Sequence, residues 1–149
     1  MLLRCTTAAA LALAACSTAR AADCNLAIEG NDAMAFDKTE LVVPAGCADV
    51  TVTLKHTGTL AAQIMGHNWV LTETKHFDAL AAATATADAA DGYLPKNDAR
   101  VIAHTALIGG GESATVKISV ASLTKGGDYT YFCAYPGHWS MMKGKLVIR

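Results

Sequence analysis

The stretch YTYFCAYPGHWSMMKGKLVIR at residues 129–149 carries the most informative pattern in the chain. Side-chain character alternates with a period of two at both ends of this stretch, 129–133 and 145–149, which predicts two strands joined by a loop. The same alternation recurs at residues 25–29, 50–55 and 114–120, and more weakly at 68–72 and 101–106. About seven or eight short strands with turn signals between them are typical of an all-β sandwich with Greek-key connections.

Residues 75–90 depart from the strand pattern. Ala, Leu and Phe dominate there, and the β-branched residues are confined to Thr84 and Thr86. This composition favours one short helix, inserted between two strands and lying outside the sheets. The Ala-Thr repeats are also compatible with a surface loop, so the sequence leaves both alternatives open.

The first 21 residues have the layout of a secretory leader. Arg4 is followed by an apolar run at 7–15 and by the small-residue ending Ala-Arg-Ala at 19–21, which predicts cleavage after residue 21. The apolar run is too short to span a bilayer, and no later stretch is long enough. We therefore expect an exported bacterial protein of the periplasm, with residues 22–149 as one domain and no transmembrane span.

The leader also contains a competing signal for lipid attachment. Leu-Ala-Ala-Cys at residues 13–16 matches a lipoprotein cleavage box, which would remove residues 1–15 and leave Cys16 as a lipid anchor. The protein would then face the periplasm or the cell surface from a membrane. Both routes lead out of the cytoplasm.

Cysteine count and charge limit the chemistry further. Of five cysteines, Cys5 and Cys16 fall in the predicted leader, so Cys24, Cys47 and Cys133 remain. In an oxidising compartment, three cysteines predict one disulfide and one thiol kept for chemistry.

The leader contains two of the 12 basic residues and none of the 13 acidic ones, so the remainder has a net charge of −3. Because the basic residues are also scattered, a nucleic-acid partner is not expected.

The loop at residues 133–142 brings three metal-binding side chains close together in sequence. His138 follows Cys133 by five residues, and Met142 follows His138 by four. Pro136 and Gly137 bend the chain, so that the thiolate, the imidazole and the thioether can converge.

His67 supplies a second imidazole from Met-Gly-His-Asn-Trp at residues 65–69, at the start of another predicted strand. Two histidines, one cysteine and a distant methionine form the donor set that selects copper for electron transfer. Zinc is the competing metal, because two histidines, one cysteine and a water molecule would also suit it. The thioether at a fixed position favours copper.

Four segments of the chain resemble the azurin family of cupredoxins, the type 1 blue-copper proteins. They are EGND at 29–32, GHNWVL at 66–71, RVIAHT at 100–105 and FCAYPGHWSMMKG at 132–144. The resemblance implies an eight-stranded Greek-key β-sandwich with one short helical insertion. It also implies a carrier of single electrons that works through the Cu(I)/Cu(II) couple of one copper ion.

The resemblance also implies roles for individual residues. His67, Cys133 and His138 would be the trigonal ligands, with Met142 and the Gly66 carbonyl as axial ligands. Met141 precedes Met142 directly, which leaves a question of register over which methionine binds. Cys24 and Cys47 would be disulfide-linked, and the Asn68 side chain would join the two ligand segments.

An apolar docking surface is a further expectation. The resemblance implies a patch around the copper, which neighbouring apolar residues could enlarge, and its members would be Met34, Leu60, Ile64, Met65, Tyr135, Trp139 and Met141. Such a patch suits the brief encounters of redox partners, and the protein itself would be a monomer. Trp139 has an alternative role, in which its ring folds back against the sandwich as part of the core.

Three functions can be distinguished by the number and arrangement of the candidate metal ligands. An electron carrier fits one thiolate in a structured loop. Copper storage or delivery, the alternative, favours several exchangeable Met or Cys ligands on a flexible segment. An enzyme is not expected, because the chain has no further histidine cluster for an open or second metal site.

Overall fold

The computed structural model describes residues 23–149, and nine strands in this part of the chain form two sheets. The predicted leader and the alternative lipid anchor at Cys16 lie outside the described residues. The strands are β1 (Asn25–Asn31), β2 (Ala35–Phe36), β3 (Glu40–Val43), β4 (Asp49–His56), β5 (Val70–Glu73), β6 (Ala103–His104), β7 (Ser113–Ser119), β8 (Tyr129–Phe132) and β9 (Lys143–Ile148). One sheet has the order β2-β1-β4-β7, and the other has the order β3-β9-β8-β5-β6. Strand β1 runs parallel to β4 and β3 runs parallel to β9, while the remaining pairs are antiparallel.

The predicted sandwich is confirmed, and the differences are confined to short strands. The alternation of β3 was missed because three apolar residues follow one another at 41–43, although only Leu41 and Val43 are buried. Strand β2 has two residues, too few for a period to be read. With β2, the described residues form nine strands, one more than the eight expected. The predicted strand at 101–106 is reduced to β6, and the one at 68–72 begins later, as β5.

The predicted helical insertion is confirmed, with narrower limits. Helix α2 (Phe77–Thr84) buries Phe77, Leu80, Ala81 and Thr84, which lie on one face at the spacing of an α-helix. Single 3-10 turns flank it at Thr74–His76 and Ala89–Asp91. A four-residue helix, α1 (Ala62–Met65), was not predicted. No helix among residues 23–149 is long and apolar enough to cross a membrane.

The buried residues form two clusters on opposite faces of the second sheet. Leu71 and Tyr131 point between the sheets, into the main cluster. Their neighbours Val70 and Phe132 point to the other side, where helix α2 covers them. All four residues of β8 are therefore buried. Cys133 follows this strand directly, so its position is fixed from both faces of the sheet.

The cysteines are used as expected. A disulfide joins Cys24 to Cys47, with 5.8 Å between their Cα atoms. It links the segment before β1 to the segment before β4, two strands that pair in parallel. Cys133 is the free thiol among the described residues, and it is buried.

Candidate metal centre

Three of the predicted ligands meet at one end of the sandwich. His67 lies before β5 and Cys133 lies after β8, and these strands pair at Val70 and Phe132. His138 comes from the loop that follows Cys133. The Cys133 Sγ lies 3.9 Å from the His67 Nδ1 and 3.7 Å from the His138 Nδ1. All three donor atoms lie within 4.8 Å of one another, and all three residues are buried.

The tautomer of His67 is set by a backbone carbonyl. The His67 Nε2 lies 2.9 Å from the carbonyl oxygen of Asn31. A carbonyl only accepts hydrogen bonds, so Nε2 must carry the proton, and Nδ1 then presents its lone pair towards the Cys133 sulfur. Burial lowers the pKa of His67, which keeps the imidazole neutral at neutral pH. The ring also stacks on that of His56, with 4.3 Å between centroids.

The His138 side chain is buried beside the ring of Tyr135. Only 3% of its surface is exposed, and the ring of Tyr135 lies against it with 4.5 Å between centroids. Burial, followed by the neighbouring His67 and His56, lowers the pKa of His138 to about 4. Both histidines therefore offer neutral imidazoles, which is the form that binds metals.

The ionisation of the Cys133 thiol depends on a bound metal ion. Burial raises the pKa of its thiol to about 12, and the nearby N–H groups of Asn68 and Tyr135 offset only part of this effect. A thiolate in such surroundings requires a compensating positive charge. The donor set, one potential thiolate with two neutral imidazoles, fits a copper ion that is soft enough for sulfur.

The two candidate axial groups lie next to these donors. The Gly66 carbonyl oxygen is 3.9 Å from the Cys133 Sγ. Met142 is fully buried, whereas 65% of Met141 is exposed. Gly30 lies against both His67 and Met142, since a Cβ on it would be 2.8 Å from the His67 Cδ2 and 3.4 Å from the Met142 Cε. The burial favours Met142 over Met141 as the axial sulfur.

Asn68 joins the two ligand segments and also a third segment. Its Oδ1 accepts a 2.8 Å hydrogen bond from the N–H of Ala134, next to Cys133. Its Nδ2 donates to the carbonyl of Gly92, also at 2.8 Å, in the segment that follows helix α2. The contact with Gly92 was not expected from the sequence. The contact between His67 and the Asn31 carbonyl was not expected either, because every residue has a backbone oxygen and the residue type does not show which one is used.

The predicted docking residues differ in exposure. Ile64 and Met141 are the most exposed, at 63% and 65%, and Leu60 is 37% exposed. Met34, Met65 and Tyr135 are half-buried, and the Tyr135 hydroxyl donates a 2.7 Å hydrogen bond to the Gln63 carbonyl. Trp139 is also half-buried, but its ring packs edge-on against Phe77, with 6.4 Å between centroids. It contacts the core cluster under helix α2, so the structure favours the packing role for Trp139 over the docking role.

Comparison with known proteins identifies the family. Residues 22–149 match the family described as copper binding proteins, plastocyanin/azurin family. The chain belongs to this family. Azurin-1 of Alcaligenes xylosoxydans xylosoxydans is 49% identical over 127 residues, which cover 85% of this chain and 98% of the relative. Azurin of Bordetella pertussis is 48% identical over 128 residues, which cover 86% of this chain and 85% of the relative.

A solved structure supports the same assignment at the level of the fold. The azurin Az-iso2 of Methylomonas sp. strain J superimposes with a TM-score of 0.82 at 42% identity. The match covers 86% of this chain and 99% of that one. As a member of the plastocyanin/azurin family, the chain has a cupredoxin sandwich and a His67, Cys133, His138 group able to hold one copper ion.

Copper loading of the metal-free protein at neutral pH should release one proton per ion, because only Cys133 must lose a proton to bind. At lower pH the number should rise as pH approaches 4, where His138 becomes protonated. Calorimetry in buffers of different ionisation enthalpy measures the number. Release of no proton would mean a preformed thiolate, and release of two would mean a protonated imidazole.

Proposed function

We propose that this protein is an exported carrier of single electrons, with one copper ion bound by His67, Cys133 and His138. The observation that carries the proposal is the buried group of one thiol and two neutral imidazoles, already assembled at the end of a rigid sandwich. When bound, copper supplies a one-electron couple between Cu(I) and Cu(II).

The residues around the site serve to keep the donors still. The Asn31 carbonyl fixes the ring of His67, and the Asn68 amide fixes the chain at Cys133. The loop is closed by hydrogen bonds from the Cys133 N–H to the Met142 carbonyl at 3.0 Å and from the Met142 N–H to the His138 carbonyl at 2.8 Å. Donors that are already fixed need little movement when an electron arrives or leaves, and this favours fast transfer.

The proposed axial ligands are the Met142 thioether and the Gly66 carbonyl. Their support is the burial of Met142 beside His67 and the 3.9 Å separation between the Gly66 oxygen and the Cys133 sulfur. A weak axial sulfur favours Cu(I), so it raises the reduction potential.

A carrier is favoured over the alternatives by the number and burial of the donors. Storage or delivery of copper would need exchangeable ligands, but the three donors of this group are all buried. Among the described residues this is the one group of at least three His, Cys, Asp or Glu side chains able to hold a metal. We therefore propose a carrier and not an enzyme.

The proposed location is the periplasm, on the basis of the leader pattern at residues 1–21 and the disulfide between Cys24 and Cys47. A lipoprotein leader ending before Cys16 stays the alternative. Mass spectrometry of the mature protein separates the two, since an N-terminus at Ala22 carries no lipid.

The proposed docking surface for redox partners is the apolar patch of Met34, Leu60, Ile64, Met65, Tyr135 and Met141. Ile64 and Met141 are its most exposed members. Tyr135 connects the patch to the metal group, because its ring lies against His138. We propose that the protein meets its donor and acceptor as a monomer, in brief contacts of small area.

The variant Cys133→Ser tests the function directly. The wild type should show an intense blue band with Cu(II), from thiolate-to-copper charge transfer, and the variant should lose it because an alcohol is a poor donor here. Optical absorption measures the band, and circular dichroism checks that the fold persists. A colourless wild-type Cu(II) complex would refute the proposal.

Replacing each methionine separately tests the axial ligand. The variant Met142→Gln should lower the reduction potential while copper is retained, since a harder oxygen donor favours Cu(II). The matched control Met141→Gln should change the potential little, because that side chain lies mostly in solvent. Voltammetry gives both values. The opposite pair of results would assign the axial position to Met141.

The docking patch is tested by a charge placed within it. Ile64→Asp should slow electron self-exchange several-fold, because two copies would bring like charges together, and the blue spectrum should persist. Ala82→Asp adds the same charge on the exposed side of helix α2 and should have a smaller effect. Nuclear magnetic resonance line broadening measures the rate. Equal slowing by both variants would show that net charge, and not the patch, controls the encounter.

A further inference from the structure

The Asp32 carboxylate joins two segments that are distant in sequence. It lies in the turn after β1 and accepts a 2.8 Å hydrogen bond from the N–H of Thr59. Longer contacts of 3.4 Å come from the N–H of Leu60 and the hydroxyl of Thr59. These contacts span 27 and 28 residues, so one side chain fixes the turn after β1 to the segment after β4.

The contact between these segments is close. A Cβ on Gly58 would overlap the Asp32 carboxylate, so the absence of a side chain at Gly58 permits the approach. A second pair of hydrogen bonds lies beside it, from the N–H and the hydroxyl of Thr57 to the Gly30 carbonyl, at 2.8 and 3.1 Å.

The turn that Asp32 holds also carries the carbonyl that orients His67. Asn31 precedes Asp32 directly, and its carbonyl oxygen accepts the proton of the His67 Nε2 at 2.9 Å. The same oxygen accepts the N–H of Met34, which has a φ of 55°. A methionine in the left-handed region is strained, so contacts from outside the turn help to stabilise it.

The carboxylate is also the negative charge next to the histidine pair. The hydrogen bond from the Thr59 N–H lowers the pKa of Asp32, so the group is ionised at neutral pH. Its Oδ1 lies 3.8 Å from the His56 Nε2, and the His56 ring stacks directly on that of His67. A negative charge there stabilises additional positive charge at the ligand group.

We propose that Asp32 is a positioning residue of the metal centre, which holds the Asn31 carbonyl against His67 and favours the oxidised state through its charge. This inference rests on the proposed copper site. It predicts two separable effects of one side chain, one on geometry and one on potential.

The test compares Asp32→Asn with a matched control, Asp37→Asn. Asp37 also accepts a backbone N–H, from Glu29 at 2.7 Å, but it makes no hydrogen bond to the segment after β4. Asp32→Asn removes the charge but keeps an oxygen that can accept the Thr59 N–H, so solvent exchange of the His67 Nε2 proton should change little. The same variant should raise the reduction potential. The control should change neither quantity.

A second variant separates geometry from charge. Gly58→Ala should displace the Asp32 carboxylate while its charge is retained. It should therefore make solvent exchange of the His67 Nε2 proton about tenfold faster, as expected for the loss of roughly one hydrogen bond, and raise the potential less than Asp32→Asn does. It provides the geometric test, whereas Asp32→Asn tests the charge. Magnetic resonance on copper-free and Cu(I) protein measures exchange, and voltammetry measures the potential.

The outcomes are distinct. Unchanged exchange in Gly58→Ala would overturn the positioning role. An unchanged or lowered potential in Asp32→Asn would overturn the role of the charge. A wild type without the blue band would refute the copper function itself, and exchange in the copper-free protein would still decide whether Asp32 positions His67.

Discussion

Burial of the Cys133 sulfur is the constraint on which the rest of the site depends. A thiol with a pKa of about 12 is neutral in the folded protein, and the imidazoles of His67 and His138 are neutral as well. The sandwich can therefore assemble all three donors without placing a net charge in its interior. The cost of a buried thiolate arises only when a cation is present to offset it.

The fold satisfies this constraint by covering both faces of strand β8. The main cluster covers one face, and helix α2 covers the other. The helical insertion thus packs against the strand that precedes Cys133. The hydrogen bond from Asn68 to Gly92 joins the segment that follows helix α2 to the ligand segment. Trp139 packs against the same cluster through its contact with Phe77.

Much of the fold and site was predictable because the informative signals are local. The spacing of Cys133, His138 and Met142 is contained in one loop, and the long strands show a clear period. Strand β3 was missed because consecutive apolar residues hide its period, and the exposure of Trp139 depends on a helix that is distant in sequence. The carbonyls of Asn31 and Gly92 could not be predicted, because every residue has a backbone oxygen and only the folded chain shows which one is used.

The arrangement of ligands along the chain also affects how metal binding and folding are coupled. His138 is five residues from Cys133, but His67 is 66 residues away. Closing the longer loop costs roughly 2 kcal/mol more in chain entropy. An unfolded chain can therefore bind a metal through its loop donors alone, without His67. Such binding to the unfolded state means that copper stabilises the folded protein by less than its affinity for the complete site would give.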